Sequence, residues 1–95
     1  MTDDLDPILH VQSRLAIVSI LMGVESAEFN FLKKELEMTA GNLSFQLGKL
    51  QEAKYISIKK TIKNNYPLTT VRLTKTGRKA FENYVHTIAK YLRIK

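Results

Sequence analysis

Thr39-Ala40-Gly41-Asn42-Leu43-Ser44-Phe45-Gln46-Leu47-Gly48-Lys49-Leu50-Gln51-Glu52-Ala53 is followed, after Lys54, by Tyr55-Ile56-Ser57-Ile58-Lys59-Lys60-Thr61-Ile62. The hydrophobic period changes within this stretch. Leu43, Leu47 and Leu50 recur at helical spacing, and at about 100° per residue they share about 60° of arc. Thr39 stands where a helix cap belongs, so the spacing predicts a helix over 40–53. Gly41, Phe45, Gly48, Lys49 and Glu52 fall on the opposite face, flanked by Asn42 and Ser44. From Tyr55 the pattern alternates. Ile56, Ile58 and Ile62 share one parity, as in a half-buried strand.

Downstream, Lys63-Asn64-Asn65-Tyr66-Pro67 reads as a loop. Thr69-Thr70-Val71-Arg72-Leu73 alternates again, with Val71 and Leu73 inward and Arg72 outward. The two strands form a β-hairpin with a basic outer face. Thr74 caps a last helix whose inner stripe is Phe81, Tyr84, Val85, Ile88 and Leu92. Upstream, Asp6-Pro7 is a helix start, with Asp as cap and Pro at the first helical position. Ile8, Val11, Leu15, Val18 and Met22 form a stripe, with Leu9, Ala16, Ile17, Ile20 and Leu21 on its flank. That helix is apolar over too much of its circumference to lie on a surface, and Gly23 ends it. Ser26 caps a short second helix with Phe29, Leu32 and Leu36 inside. The order is helix, helix, helix, strand, loop, strand, helix, which in outline is a winged helix-turn-helix. The fold class is mostly α with a β-hairpin (α+β), in one domain over residues 8–95, preceded by a loose acidic arm over 1–7.

The 95 residues leave room for one domain. Charge is unevenly distributed along them. Residues 1–53 hold four basic and eight acidic groups; residues 54–95 hold eleven basic groups and one acidic, Glu82, in a chain of net charge +6. A segment of net charge about +10 is a candidate surface for a polyanion. There is no Cys, hence no disulfide, thiolate metal site or Cys nucleophile, which fits a reducing, cytoplasmic compartment. The MTDDLDP start lacks the basic region of a signal peptide, and the apolar run Leu15–Val24 is about half the roughly twenty residues of a membrane span. Glu82 and His86 have a spacing that can hold a metal. With His10 the one other His, a surface ion pair is the simpler reading. No nucleophile–base set, phosphate loop or carboxylate pair stands out. The expectation is no enzyme, no cofactor and no metal.

Two segments also resemble a known family. Thr39–Ile56 resembles the recognition helix and first wing strand of small winged-helix regulators: a Thr or Ser cap, GNLS, a polar pair, then LxKLEEAGYI. Thr69-Thr-Val-Arg-Leu-Thr-Lys-Thr-Gly-Arg-Lys-Ala-Phe-Glu-Asn-Tyr84 is similar to their second strand and helix, commonly TTYRLTxxGRxAFxxY. The resemblance covers residues 8–92 and is nearest to compact MarR/ArsR-like winged-helix proteins. It implies a prokaryotic transcription regulator that binds double-stranded DNA as a homodimer. Carried over by position, Thr39, Ala40, Gly41, Asn42, Ser44, Phe45 and Lys49 face the major groove, and Lys59, Lys60, Lys63, Asn64 and Arg72 belong to the wing. Lys54 stands where the family often has Gly, and Phe45 and Gly48 where polar readers are common. Neither motif names an operator or a small-molecule effector.

The residues themselves permit rival readings. Phe45 could meet thymine methyls or pack inside the protein. Asn42 and Ser44 could read bases and phosphates or be solvated. The weakly polar groove face also suits a winged-helix module that binds protein, and the basic half suits RNA or an acidic membrane. No basic helix with an exposed apolar face favours the membrane. The first and last helices carry more apolar surface than a small core absorbs, so Leu9, Ile17, Ile20, Tyr84, Ile88, Tyr91 and Leu92 are the expected dimer contacts.

Overall fold

A computed structural model describes residues 4–93. Helix α1 spans Gln12–Leu21, strand β1 Ala27–Glu28, helix α2 Phe29–Glu35 and helix α3 Ala40–Glu52. Strands β2 (Ile56–Lys63) and β3 (Tyr66–Leu73) follow, and helix α4 runs Lys75–Leu92. The three strands form one antiparallel sheet in the order β1-β3-β2. The short β1 was not anticipated. Two residues cannot show a period of two, and Ala27 and Glu28 become a strand only by pairing with Val71 and Thr70. The core gathers Leu9, Ile17, Val18, Leu21, Leu32, Leu43, Leu47, Leu50, Ile56 and Val71 from the segment before α1, from α1, α2 and α3, and from β2 and β3.

The expected first helix starts five residues late. Asp6 does cap a turn: its Oδ1 accepts from the backbone of Ile8 at 2.8 Å and Leu9 at 3.4 Å. That turn is isolated, because Val11 is extended (φ −135°, ψ 123°) and α1 begins after it. Arg14 Nε donates to the Ile8 carbonyl at 2.8 Å and ties the turn to α1. Leu5 and Asp6, expected in a loose arm, are tied to the rest of the chain. Leu5 packs on the core and the Tyr55 hydroxyl donates to Asp6 Oδ2 at 2.5 Å. Residues 1–3 of that arm lie outside the described residues. Ser26 caps nothing, since β1 intervenes and Glu28 occupies the cap position of α2 without a side-chain bond.

Both ends of the turn between α2 and α3 follow from local chemistry. Glu37 takes a left-handed φ of 52°, and Met38 N–H reaches back to the Lys33 carbonyl at 3.0 Å. Thr39 Oγ1 then accepts from Asn42 N–H at 3.1 Å, the cap its position predicted. Helix α3 ends the same way. Lys54 has φ 66°, its N–H bonds the Gln51 carbonyl at 2.9 Å, and Tyr55 N–H bonds the Leu50 carbonyl at 3.0 Å. This paired closure normally recruits Gly at the left-handed position. Lys54 occupies it at a conformational cost of about 1 kcal/mol.

The hairpin is tighter and longer than its sequence suggested. Asn64 and Asn65, with φ 53° and 67°, make a two-residue turn of the kind that matches strand twist. Tyr66 and Pro67, read as loop, are paired strand residues opposite Lys63 and Ile62. Ile62 keeps the parity of Ile56 and Ile58 but is 79% exposed, because the hairpin projects past the core. Thr74 Oγ1 caps α4, accepting from Gly77 N–H at 2.9 Å. Along α4, Tyr84 is buried and Phe81 and Ile88 pack on the core. Val85 and Leu92, placed on the inner stripe by spacing, are exposed.

A Cβ on Gly77 would stand 2.1 Å from the Tyr55 carbonyl oxygen. Because that neighbour is backbone, it cannot rotate away. Gly77→Ala is expected to cost about 3 kcal/mol, and Lys54→Gly to stabilise by about 1 kcal/mol by relieving the left-handed strain. Thermal melts of the two variants should move in opposite directions; equal or same-sign shifts would refute this account of the junction. Burial first, then the hydrogen bond to Asp6 and the charge of that carboxylate, push the Tyr55 phenol up from 10.0 to about 12. The fold thus favours the neutral phenol. That contribution is complete below pH 10 and is lost as pH rises through about 12. A tyrosinate absorbance titration should show a step near 12 that is missing in Tyr55→Phe.

Candidate nucleic-acid interface

Helix α3 buries Leu43, Leu47 and Leu50 against the core, and this leaves its other face outward. Thr39, Ala40, Gly41, Asn42, Ser44 and Phe45 are exposed along it, and Lys49 is half-buried. Phe45 is 59% exposed, so it is not a core residue. The Lys49 ammonium lies over its ring, 5.4 Å from the centroid, which steadies both side chains on the surface. Asn42 Oδ1 accepts from Gln46 Nε2 at 3.1 Å, one turn on. The Asn42 amide nitrogen keeps its donors for an outside acceptor. Gln46, absent from the expected site, is what orients it, and the i, i+4 spacing was the available signal.

Beside α3 lies the inner face of the hairpin. The cleft between them, about 370 Å³, is lined by Phe29, Ser44, Leu47, Gly48, Gln51, Ile58, Lys60 and Thr69. Lys60 and Thr69 are paired partners, so both point to the α3 side with Ile58 and Val71. Ser44, Gly48 and Gln51 form the matching stripe on α3. Gly48 gives this cleft depth, with open space where a Cβ would be. Gln51 and Thr69 were missed, although helix and strand spacing place them there.

The expected wing residues divide between two faces. Lys60 shares the cleft with α3. Lys59, Lys63 and Arg72 have the other parity and lie on the outer face, with Asn64 in the turn. Arg72 Nη2 pairs with Glu25 Oε1 at 3.1 Å in an exposed bridge that stabilises little. Near the start of α4, Lys75, Arg78 and Lys79 sit with no acidic residue in the first turn, against the helix dipole. Arg78 Nη1 reaches Met22 Sδ at 3.7 Å. Among the described residues no group of three or more His, Asp or Glu could hold a metal, and no helix is long and apolar enough to cross a membrane.

The expected dimer contacts also divide. Leu9 and Ile17 have no exposed surface and Tyr84 is buried, with its hydroxyl hydrogen-bonded to His10 Nδ1 at 2.9 Å. These three serve the core of their own chain. Ile17 lies on α1 and Tyr84 on α4, as their spacing predicted, whereas Leu9 lies in the N-terminal turn, and packing within the chain covers all three. Ile20 and Ile88 are half-buried, and Tyr91 and Leu92 are exposed.

Two helices joined by a tight turn, the second presenting a polar face beside a projecting basic hairpin, define a winged helix-turn-helix module. Residues 13–92 match the model of the winged helix DNA-binding domain family. The chain belongs to that family, a class of DNA-binding domains and not of enzymes. It is 40% identical over 75 residues to the uncharacterized protein MJ0432 of Methanocaldococcus jannaschii, spanning 79% of this chain and 82% of that one. Its fold matches a transcriptional regulator homologue from Pyrococcus horikoshii OT3 with a TM-score of 0.85 at 26% identity, over 90% of this chain and 85% of the other. It also matches MepR of S. aureus, solved in complex with DNA, with a TM-score of 0.73 at 17% identity, over 88% and 68% of the two chains.

Proposed function

We propose that the chain is a sequence-specific transcriptional regulator that places α3 in the major groove of duplex DNA and sets its wing cations on phosphates. The outward polar face of α3 carries this reading. Asn42 stands on that face, and its amide nitrogen keeps donors for a base edge. A helix fits the major groove, where each base pair presents a distinct set of donors and acceptors. Asn42 suits adenine, Ser44 a phosphate, and the exposed Phe45 ring a thymine methyl. Gly41 and Gly48 have open space at their Cβ positions, which favours close approach of the helix backbone. Lys59, Lys60, Lys63 and Arg72, with Asn64 at the tip, supply affinity and register without reading sequence.

The working unit we propose is a homodimer. Val85, Tyr91 and Leu92 form an exposed apolar strip on α4, next to the half-buried Ile88. Two-fold pairing through this strip and Ile20 of α1 would set two α3 helices about one DNA turn apart. A monomer in sedimentation at micromolar concentration would exclude this assembly.

Selection of duplexes from a random pool tests sequence reading directly. On the preferred site Asn42→Ala is expected to cost about 1–3 kcal/mol, and much less on random DNA. Phe45→Ala should leave the melting temperature nearly unchanged and relax preference at one or two positions. If both variants keep the wild-type preference, the face of α3 serves a protein partner instead. Phosphate contacts from Lys59, Lys63 and Arg72 in a dimer number about six, so log affinity against log salt should slope near −5. Lys63→Ala should weaken all sequences alike and flatten that slope; an unaltered slope removes the wing from the mechanism.

A further inference from the structure

A second polar cleft opens on the outer face of the sheet, on the side away from α3. Ser57 stands opposite Arg72, and Lys59 opposite Thr70, as successive outward pairs of β2 and β3. Ser26, just before β1, closes the edge. Together these five line a space of about 360 Å³. Its lining is three hydroxyls and two cations, with no carboxylate and no apolar side chain. Lys and Arg can only donate hydrogen bonds, and the hydroxyls can turn to donate as well. Such a set suits a phosphoryl oxyanion, which accepts several charge-assisted bonds at once.

An anionic group already rests on one of these cations. Glu25 reaches across from the loop before β1 to hold Arg72 at 3.1 Å, with its own side chain 90% exposed. Exposed pairs of this kind are weak and exchange readily. Glu25 is not part of the lining but holds one of its cations, and it can yield Arg72 to a stronger anion. Glu28, opposite Thr70 on β1, is the other carboxylate on this face.

We infer that this cleft is a phosphoryl-oxyanion site, held by Lys59, Arg72 and the hydroxyls of Ser26, Ser57 and Thr70. The phosphoryl group comes either from the DNA backbone, in which case the inference rests on the DNA-binding reading, or from a free phosphate, in which case it stands without it. Ligand at this site competes with Glu25 for Arg72.

The test titrates inorganic phosphate into the full chain by calorimetry, with ionic strength held constant by chloride. Thr70→Val keeps shape and charge while removing one hydroxyl. It should weaken phosphate about tenfold, Thr70→Ser should restore it, and Glu25→Gln should strengthen it. Circular dichroism and melting of each variant check the fold. Duplex affinity of Thr70→Val separates the two sources. A parallel loss on DNA, whether or not free phosphate saturates, assigns the site to the backbone. Wild-type duplex affinity with weakened phosphate assigns it to a free ligand. If Thr70→Val and Glu25→Gln match the wild type on both phosphate and duplex, the site does not exist, and the major-groove reading of α3 stands or falls separately.

Discussion

The close approach of Gly77 to the Tyr55 carbonyl holds the parts of this molecule in their relative positions. That carbonyl accepts from Thr74 N–H at 3.0 Å, while Thr74 Oγ1 donates to the Lys54 carbonyl at 2.7 Å and caps α4 through Gly77. The end of α3, the start of β2, the end of β3 and the start of α4 thus meet within a few residues. A side chain at position 77 would force α4 off this junction. The Tyr55 hydroxyl extends the same node to Asp6 and so to the N-terminal turn. The direction of α4 is therefore set relative to α3. In any assembly built on α4, the spacing of two α3 helices would depend on this contact.

Two left-handed residues position the rest of the candidate surface. Glu37 closes α2 and Lys54 closes α3 with the same pair of backbone bonds, one just before the Thr39 cap and the other just before β2. The carbonyls at each helix end are satisfied there, so the chain can reverse sharply without burying unpaired polar groups. A third reversal, at Asn64 and Asn65, uses residues that tolerate a left-handed backbone well. Lys54 tolerates it less well, and the surrounding bonds compensate.

Strand register then divides the basic residues of the hairpin between two faces. Lys60 turns toward α3 and its cleft. Lys59 and Arg72 turn away, into a cleft of hydroxyls, and Lys63 lies further along that outer face. Only Lys60 shares a concave surface with the outward side of α3. The exposed Ile62 and Tyr66 mark how far the hairpin extends beyond the core.

Local sequence determined α3 and α4, their caps and the existence of the hairpin. Leu43, Leu47 and Leu50 name the buried face of α3. Thr39 and Thr74 each find the donor three residues ahead, because capping is a local hydrogen bond that needs no tertiary partner. The candidate face of α3 was legible for the same reason: whatever a helix does not bury, it presents. What periodicity could not supply was the neighbour. Leu9, Ile17 and Tyr84 have the pattern of partner contacts and are covered by their own chain, since burial depends on segments distant in sequence. β1 exists only through its pairing with β3. The need for Gly at position 77 arises from a carbonyl twenty-two residues away. The outer cleft is assembled from three separate segments, each of which reads alone as ordinary solvated strand or loop. Residue spacing encodes which way a side chain points, and only the packed chain decides what it meets.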